Sequence, residues 1–346
     1  MQSPIFRSGP LSLGDLMDWA IRIYRARFGK LILTTALFLV PVGIVSGIIT
    51  GQTMTSYLNF FLYAVQNPDS VVDESILRDL QNSGGAATWV YLLMPVSLAL
   101  NGIATLVLTQ HTIAAIHSEE LGVGEGIRRG SRRFWAWLGM QLSVYLVYLG
   151  VLVVLSILFF MFFFVIAIFA SAFLMLGSTT QGAEPGAVAV IGMVVGIFCL
   201  YLLVIAVVVA PFIYLAARWA VATPGIVEQG WGPIESLQRS WELTRGHVRR
   251  CIGYTVVLAL FYGFIYASLM LLASSVSALV LTTSTLAGAA IMGAVGALLP
   301  VLWQPLAATA YVMLYYDLRM RNQGYDLELR IQQLEAEVAG SAPALA

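Results

Sequence analysis

Residues 251–316 read CIGYTVVLALFYGFIYASLMLLASSVSALVLTTSTLAGAAIMGAVGALLPVLWQPLAATAYVMLYY, an unbroken run without one Asp, Glu, Lys or Arg. About 20 predominantly apolar residues in a helix are enough to cross the hydrocarbon core of a bilayer. This run is longer than the buried helices of a soluble domain and has room for two crossings. It predicts a helical hairpin inside a membrane.

The rest of the chain has the same character. Four further stretches without a charged residue lie at 31–68, 80–118, 134–183 and 185–217. The chain of 346 residues is 59% hydrophobic and 10% charged, whereas soluble domains carry about 25% charged residues. We therefore predict an all-α integral membrane protein with six transmembrane helices, near 31–50, 87–111, 138–172, 188–216, 251–275 and 289–315.

The charges predict the orientation of these helices. Seventeen of the eighteen basic residues are Arg, and all except Arg78 lie before the first span, in the loops at 119–133 and 218–250, or in the tail. Because loops rich in Lys and Arg stay in the cytoplasm, we expect both termini and both Arg-rich loops inside, and the 52–86 loop and the loop near Glu184 outside. Two crossings within 134–183 would put the 218–250 loop outside, so one long helix is preferred there.

The organisation predicts a threefold repeat, over 11–118, 119–224 and 225–330. Each repeat begins with an amphipathic stretch and continues into a helical hairpin; the stretches are LGDLMDWAIRIYRARFGK at 13–30, VGEGIRRGSRRFWAW at 123–137 and WGPIESLQRSWELTRGHVRR at 231–250. Ser12 and Asp15 have the spacing of a capping box. We interpret 1–330 as a single polytopic membrane domain and 331–346 as a cytoplasmic tail with a disordered end. A tail helix is expected near 324–338.

Three stretches carry a family resemblance: LSLGDLMDWAIRIYRARFGKL at 11–31, RWAVATPGIVEQGWGPIESLQRSWELTRGHVRR at 218–250 and YYDLRMRNQGYDLEL at 315–329. They resemble the membrane domain associated with glycerophosphoryl diester phosphodiesterases. The resemblance implies a stand-alone membrane domain, because the phosphodiesterase itself is a separate barrel whose metal site needs several His, Glu and Asp residues. This chain has three His residues, and none of them lies in such a motif.

No catalytic motif is found in the sequence. It has no Walker A sequence, no Gly-rich dinucleotide loop and no G-x-S-x-G element. His111 and His117 flank the end of the second span, where ordinary interfacial residues are favoured over a metal site. We therefore expect no enzyme activity, no catalytic, cofactor or metal site, and no cofactor. The strongest polar residues within the apolar runs are Asn101, Gln141 and Gln304, which more often join helices than line a path.

Two interpretations of function stay open. The first is a non-catalytic scaffold or accessory subunit whose Arg-rich cytoplasmic face binds anionic lipid headgroups or a membrane protein partner. The second is a transporter or channel-like protein for a small solute or lipid. The expected location is a bacterial inner (plasma) membrane; no nucleic-acid partner is expected, and the oligomeric state is open. The candidate residues of the cytoplasmic face are Arg22, Arg25, Arg129, Arg133, Arg239, Trp241, Arg245, Asp317, Arg319 and Arg321.

Overall fold

The computed structural model describes residues 11–66, 74–178, 207–281 and 285–323, and no strand occurs among them. Within these ranges the helices follow in chain order: α1 Leu13–Ala26, α2 Phe28–Gln66, α3 Glu74–Ile116, α4 Val123–Ser131, α5 Phe134–Ser178, α6 at 207–219, α7 Ala222–Gln229, α8 Pro233–Thr244, α9 Val248–Leu281 and α10 Thr285–Gln323.

Among the described residues, six segments are long and apolar enough to cross a membrane, as the sequence predicts. They are Phe28–Gly47, Tyr91–Ile116, Phe134–Phe164, Val207–Gln229, Val248–Val276 and Ala294–Gln323. The third belongs to one unbroken helix from Phe134 to Ser178, which agrees with the preference for a single long helix. Residues 188–206 of the fourth predicted span and the predicted tail helix at 324–338 lie outside the described residues.

The predicted loop at 52–86 is wrong in extent. Helix α2 continues to Gln66 and α3 begins at Glu74, so most of this segment is helical. No proline interrupts 52–66, and Arg78 forms an ion pair of 3.0 Å with Glu74 one turn earlier on α3. The helices therefore extend past the apolar spans. A helix continues until a helix-breaking residue ends it, and that point lies here beyond the segment able to cross the hydrocarbon core.

Helix α10 is the centre of the bundle. It contacts α1, α2, α3, α7, α8 and α9, and its segment from Val312 to Leu318 is buried throughout. Helix α5 is the opposite case, since none of its described side chains beyond Val144 is buried. Apolar side chains on such an outward surface suit a lipid environment.

The three short helices α1, α4 and α8 pack across the same end of the bundle. They begin at Leu13, Val123 and Pro233, so their starts are evenly spaced along the chain, and an acidic residue is the third residue of each. Their buried positions also correspond: Leu16 and Ala20 in α1, Gly126 and Gly130 in α4, Ser236 and Ser240 in α8. We call this end, formed by α1, α4, α7, α8 and the adjoining ends of the long helices, the arginine-rich face.

Local sequence explains where these short helices start. The Ser12 hydroxyl accepts a hydrogen bond of 3.1 Å from the Asp15 amide, and the Asp15 carboxylate accepts one of 3.1 Å from the Ser12 amide. This capping box confirms the prediction. The Ser12 hydroxyl also donates to the Asp15 carboxylate at 2.6 Å, and this bond and the bond from the Ser12 amide lower the pKa of Asp15. Helix α8 starts with Pro233 at its first position, where the missing amide hydrogen costs nothing.

Helix α5 is anchored to α3 by a tight contact between a glycine and an indole. A Cβ added to Gly102 would lie 2.1 Å from the Trp137 ring, and Trp137 is itself buried. We expect Gly102→Ala to lower the free energy of unfolding by about 1–3 kcal/mol, since the ring has to move out of a packed site. Thermal unfolding in detergent measures this effect. Gly150→Ala in α5 is the matched control, because its Cβ would meet nothing within 4 Å; equal melting temperatures for the two variants would contradict the prediction.

Candidate functional site

A buried carboxylate organises the arginine-rich face. The Asp317 side chain is fully buried and accepts hydrogen bonds from Arg250 Nε at 2.9 Å and Arg321 Nε at 3.0 Å, both on its Oδ2. Its Oδ1 accepts a bond of 3.1 Å from the backbone amide of Leu11. The Leu11 carbonyl in turn accepts hydrogen bonds from Arg250 Nη2 and Arg321 Nη2. The segment before α1 is thus tied to the last described helix, 306 residues away in sequence.

A second ion pair joins α7 to α10. Glu228 Oε1 accepts hydrogen bonds from the Tyr316 hydroxyl at 2.9 Å and from Arg319 Nη1 at 3.4 Å. Both charged side chains are largely buried, with 12% of Arg319 and 17% of Glu228 exposed. Asp317, Arg319 and Arg321 therefore hold helices together at this end of the bundle.

Arg218 is a buried cation that holds α8 against α6. Its side chain packs 4.0 Å from the centre of the Trp241 ring, and its Nη1 donates to Thr244 Oγ1 at 3.1 Å and to the Trp241 carbonyl at 3.3 Å. The Ser240 hydroxyl donates to the Arg218 carbonyl at 2.8 Å. None of the carboxylates that the structure describes lies within ion-pair distance of Arg218, and its Nε has no hydrogen-bond partner there.

Helix α4 carries a compact network of exposed charges. Arg128 and Arg129 both donate to the Glu125 carboxylate, at 2.8–2.9 Å, and Arg129 also donates to Glu119 at 3.0 Å. Hydrogen bonds from Arg128 and Arg129 lower the pKa of Glu125 to about 2. Arg129 is therefore occupied by acidic partners, which reduces the charge that it offers to a ligand.

The other candidate residues are exposed and mostly free of acidic partners within the described chain. Arg239 stands on α8 between Glu235 and Glu242, at 3.8 and 3.7 Å, and Arg22 lies over the Trp19 ring at 5.2 Å. Within the described ranges, seven basic side chains form no ion pair and are exposed: Arg22, Arg25, Lys30, Arg132, Arg133, Arg245 and Arg249. Trp241 is also exposed, and it packs edge-on against Tyr214 at 6.0 Å.

Of the three polar candidates within the apolar spans, Asn101 and Gln304 lie together and Gln141 lies apart from them. Gln304 Nε2 donates to Thr105 Oγ1 at 2.8 Å and approaches the Asn101 carbonyl and side-chain oxygens at 3.3 Å. Further along the same helices, the Thr112 and Thr309 hydroxyls are 3.3 Å apart. These contacts join α3 to α10 in the way that polar groups join membrane helices. Gln141 lies on α5, half-buried, and is not part of this pair.

Two histidines lie at the end of α3, and neither is grouped with metal ligands. His111 is buried beneath α4 and not at an exposed interface: a Cβ on Gly126 would lie 2.4 Å from its Nε2. His117 Nδ1 is 2.9 Å from the Ile113 carbonyl. In the part of the chain that the structure describes, no three His, Cys, Asp or Glu side chains group closely enough to hold a metal ion.

Sequence reasoning missed Arg218, Glu228, Arg250 and Leu11. The residue pattern of the stretch at 218–250 does not distinguish Arg218, Glu228 and Arg250 from the exposed charges beside them. One signal was present: Arg218 is the first charged residue after the uncharged run at 185–217, so it lies at a membrane boundary. Leu11 contributes only backbone atoms, which no residue pattern could identify.

Comparison with known proteins gives one match. A family model described as "Domain of unknown function (DUF7847)" matches residues 37–314. No curated protein and no solved structure matches the chain significantly. The match covers more than half of the chain, begins within the first span and ends within the last, and includes Arg218 and Arg250. The chain therefore belongs to the DUF7847 family.

Proposed function

We propose that this protein is a non-catalytic integral membrane scaffold or accessory subunit whose arginine-rich face binds anionic lipid headgroups. The main support for this function is the excess of exposed positive charge on that face. Ten basic side chains are exposed there against six acidic ones, counted over the described residues. Each Lys or Arg near an anionic membrane surface contributes about 1 kcal/mol of attraction.

The apolar residues around these charges support the same proposal. Trp135 is 77% exposed and Ile234 is 64% exposed, and Trp241 lies on the same helix as Ile234. Tryptophan prefers the level of the lipid headgroups, and an amphipathic helix can lie in that interface with its arginines toward phosphate. Helices α4 and α8 would therefore border the inner leaflet, with both termini in the cytoplasm of a bacterial plasma membrane.

Two broader proposals accompany this function. The even spacing between the starts of α1, α4 and α8, with matching buried positions, supports a threefold internal repeat. The resemblance to the membrane domain associated with glycerophosphoryl diester phosphodiesterases stays a proposal. It implies a stand-alone membrane domain, with no reaction carried out by this chain.

The alternative is a transporter or channel-like protein. It would need a hydrated polar path through the apolar spans. Asn101 and Gln304 approach each other directly across α3 and α10, and this contact supports a structural role for both. One feature favours transport: Gln304 Oε1 is buried without a partner among the described residues, so a polar ligand or water could be accepted at that point.

The test is purification of the full-length protein from its native membrane in mild detergent, with lipids and proteins that co-purify quantified by mass spectrometry. We expect anionic lipids to be enriched over zwitterionic ones. Replacing Arg22, Arg25 and Arg132 together by Gln should lower this enrichment about tenfold or more, because three unpaired charges are lost. The change should shrink at high salt, which screens exposed charges.

Arg78→Gln is the matched control, since Arg78 lies near the start of α3, at the other end of that helix from the arginine-rich face, and pairs with Glu74. It should retain the wild-type enrichment. Equal lipid retention by the triple variant and the wild type would sink the lipid-binding function. A stoichiometric protein partner in the same purification would identify the accessory-subunit role, whereas a retained small solute without enriched lipid would favour transport.

A further inference from the structure

The turn between α8 and α9 has the features of an anion site. It reads TRGHVRR at 244–250, and α9 begins at Val248 and runs for 34 residues. Gly246 has a φ of +86°, which only glycine adopts easily. A Cβ at this glycine would meet nothing within 4 Å, so the space over the turn is open.

The backbone at this turn offers hydrogen-bond donors. The first bond into α9 runs from the Cys251 amide to the His247 carbonyl at 3.1 Å. The amides of Val248, Arg249 and Arg250 precede it, in the first turn of a helix, where amides have no intrahelical acceptor. Such amides, together with the positive end of the helix dipole, bind phosphate groups in many proteins.

The side chains around the turn add positive charge that other described parts of the fold do not use. Arg245 and Arg249 are exposed and form no ion pair with the described carboxylates, while Arg250 is already bound to Asp317. His247 Nδ1 is buried without a hydrogen-bond partner among the described residues. Arg245, His247 and Arg249 therefore lie next in sequence to the start of α9, where the first backbone amides have no acceptor within the helix.

Arg218 supplies the second, independent observation. It is only 7% exposed, its Nη1 reaches Thr244 Oγ1 at the beginning of this turn, and its Nε is without a partner in the described chain. A buried guanidinium is costly unless a negative group compensates it. Its hydrogen bond to Thr244, the residue before Arg245, places this positive charge next to the turn, and none of the described carboxylates pairs with it.

We propose that the turn at 244–250, with Arg218 beside it, binds the phosphate of a phosphate ester, and that this is the headgroup site of the arginine-rich face. The proposal rests on the lipid-binding function proposed above and assigns it to one place. Arg245 and Arg249 contact the phosphate oxygens, the amides at the start of α9 donate to them, and Arg218 supplies the buried positive charge.

The test uses the full-length protein in detergent, titrated with phosphatidylglycerol or phosphatidylcholine and followed by native mass spectrometry. We expect one site that prefers phosphatidylglycerol. Arg245→Gln with Arg249→Gln should weaken that binding about 30-fold, because each arginine near an anionic headgroup contributes about fivefold. Arg78→Gln is the control, since Arg78 lies near the start of α3, away from the arginine-rich face, and pairs with Glu74; it should change binding less than twofold.

Competition with sodium phosphate and with glycerol phosphate distinguishes the two sources of the ligand. Displacement of the lipid at millimolar concentration identifies a soluble phosphate as a ligand, and no displacement identifies the lipid headgroup; both outcomes support a phosphate site. Unchanged affinity in the Arg245→Gln, Arg249→Gln variant, at an unchanged melting temperature, would overturn the proposal. If the Arg22, Arg25 and Arg132 variant loses lipid while this one does not, the general function stands and only this site is wrong.

Discussion

Replacing Asp317 by Asn should be the most destabilising single change in the described part of this protein, lowering the free energy of unfolding by about 3 kcal/mol or more. The Asp317 side chain is fully buried, and it compensates Arg250 and Arg321, which are 19% and 22% exposed. An amide of the same shape leaves two partly buried guanidinium groups without a negative partner. Removing one partner of a buried ion pair lowers stability by more than the intact pair contributes to it. The remaining charge is then buried without a compensating group.

The measurement is thermal or denaturant unfolding of the full-length protein in one detergent. Asp18→Asn is the matched control, since Asp18 is exposed on α1 and forms no ion pair with the described residues; it should change stability by less than about 0.5 kcal/mol. Asp317→Asn should also release the segment before α1, because the Leu11 amide loses the charge on its acceptor. Hydrogen exchange at Leu11–Leu16 would report this release. If Asp317→Asn is as stable as Asp18→Asn, the buried cluster does not hold the fold together.

Arg218→Ala should have the second largest effect, with a loss of about 2–3 kcal/mol. The guanidinium stacks on Trp241 at 4.0 Å and donates to a carbonyl and a hydroxyl near the end of α8. Truncation removes the stacking and both hydrogen bonds and leaves a cavity between α6 and α8. The loss should be local, so that the amides of α8 exchange faster while those of α10 do not.

Arg218→Met separates charge from packing. Methionine fills most of the space without the desolvation cost of a buried cation, so we expect it to lose less than Ala. Arg239→Ala on the outer surface of α8 should have little effect on stability, because its two contacts with glutamate are long and exposed. A stable Arg218→Ala protein with unchanged exchange in α8 would contradict the assigned role of Arg218.

The sequence predicts the location of the candidate face, but it does not tell which residues on that face are exposed and which form buried ion pairs. All ten candidate residues of that face lie among the described residues at one end of the bundle. However, Asp317, Arg319 and Arg321 are bound into ion pairs, whereas Arg25 and Arg245 are exposed and form no ion pair with described residues. The Asp317–Arg321 pair is local, with its partners four positions apart in the chain. The other two pairs join residues 67 and 91 positions apart, and the order of charges along the chain does not show that these residues meet.

The same limit applies inside the spans. The sequence does not distinguish Asn101, Gln141 and Gln304, since each is an amide side chain within an apolar run. The structure brings Asn101 and Gln304 together and leaves Gln141 on α5. Helix rotation decides this outcome, and rotation follows from how the helices pack and not from the hydrophobicity of any one of them.

The sequence alone determined that the chain is helical, that it has six segments able to cross a membrane, and that its arginines gather between particular spans. These properties follow from length, apolar composition and backbone hydrogen bonding, which act within each segment. Tertiary structure alone decided that the Leu11 amide donates a hydrogen bond to Asp317 and that Arg218 lies buried beneath α8. It also decided that the basic turn at 244–250 has free space above Gly246. Those features depend on contacts between segments far apart in the chain, and the geometry of packing sets them.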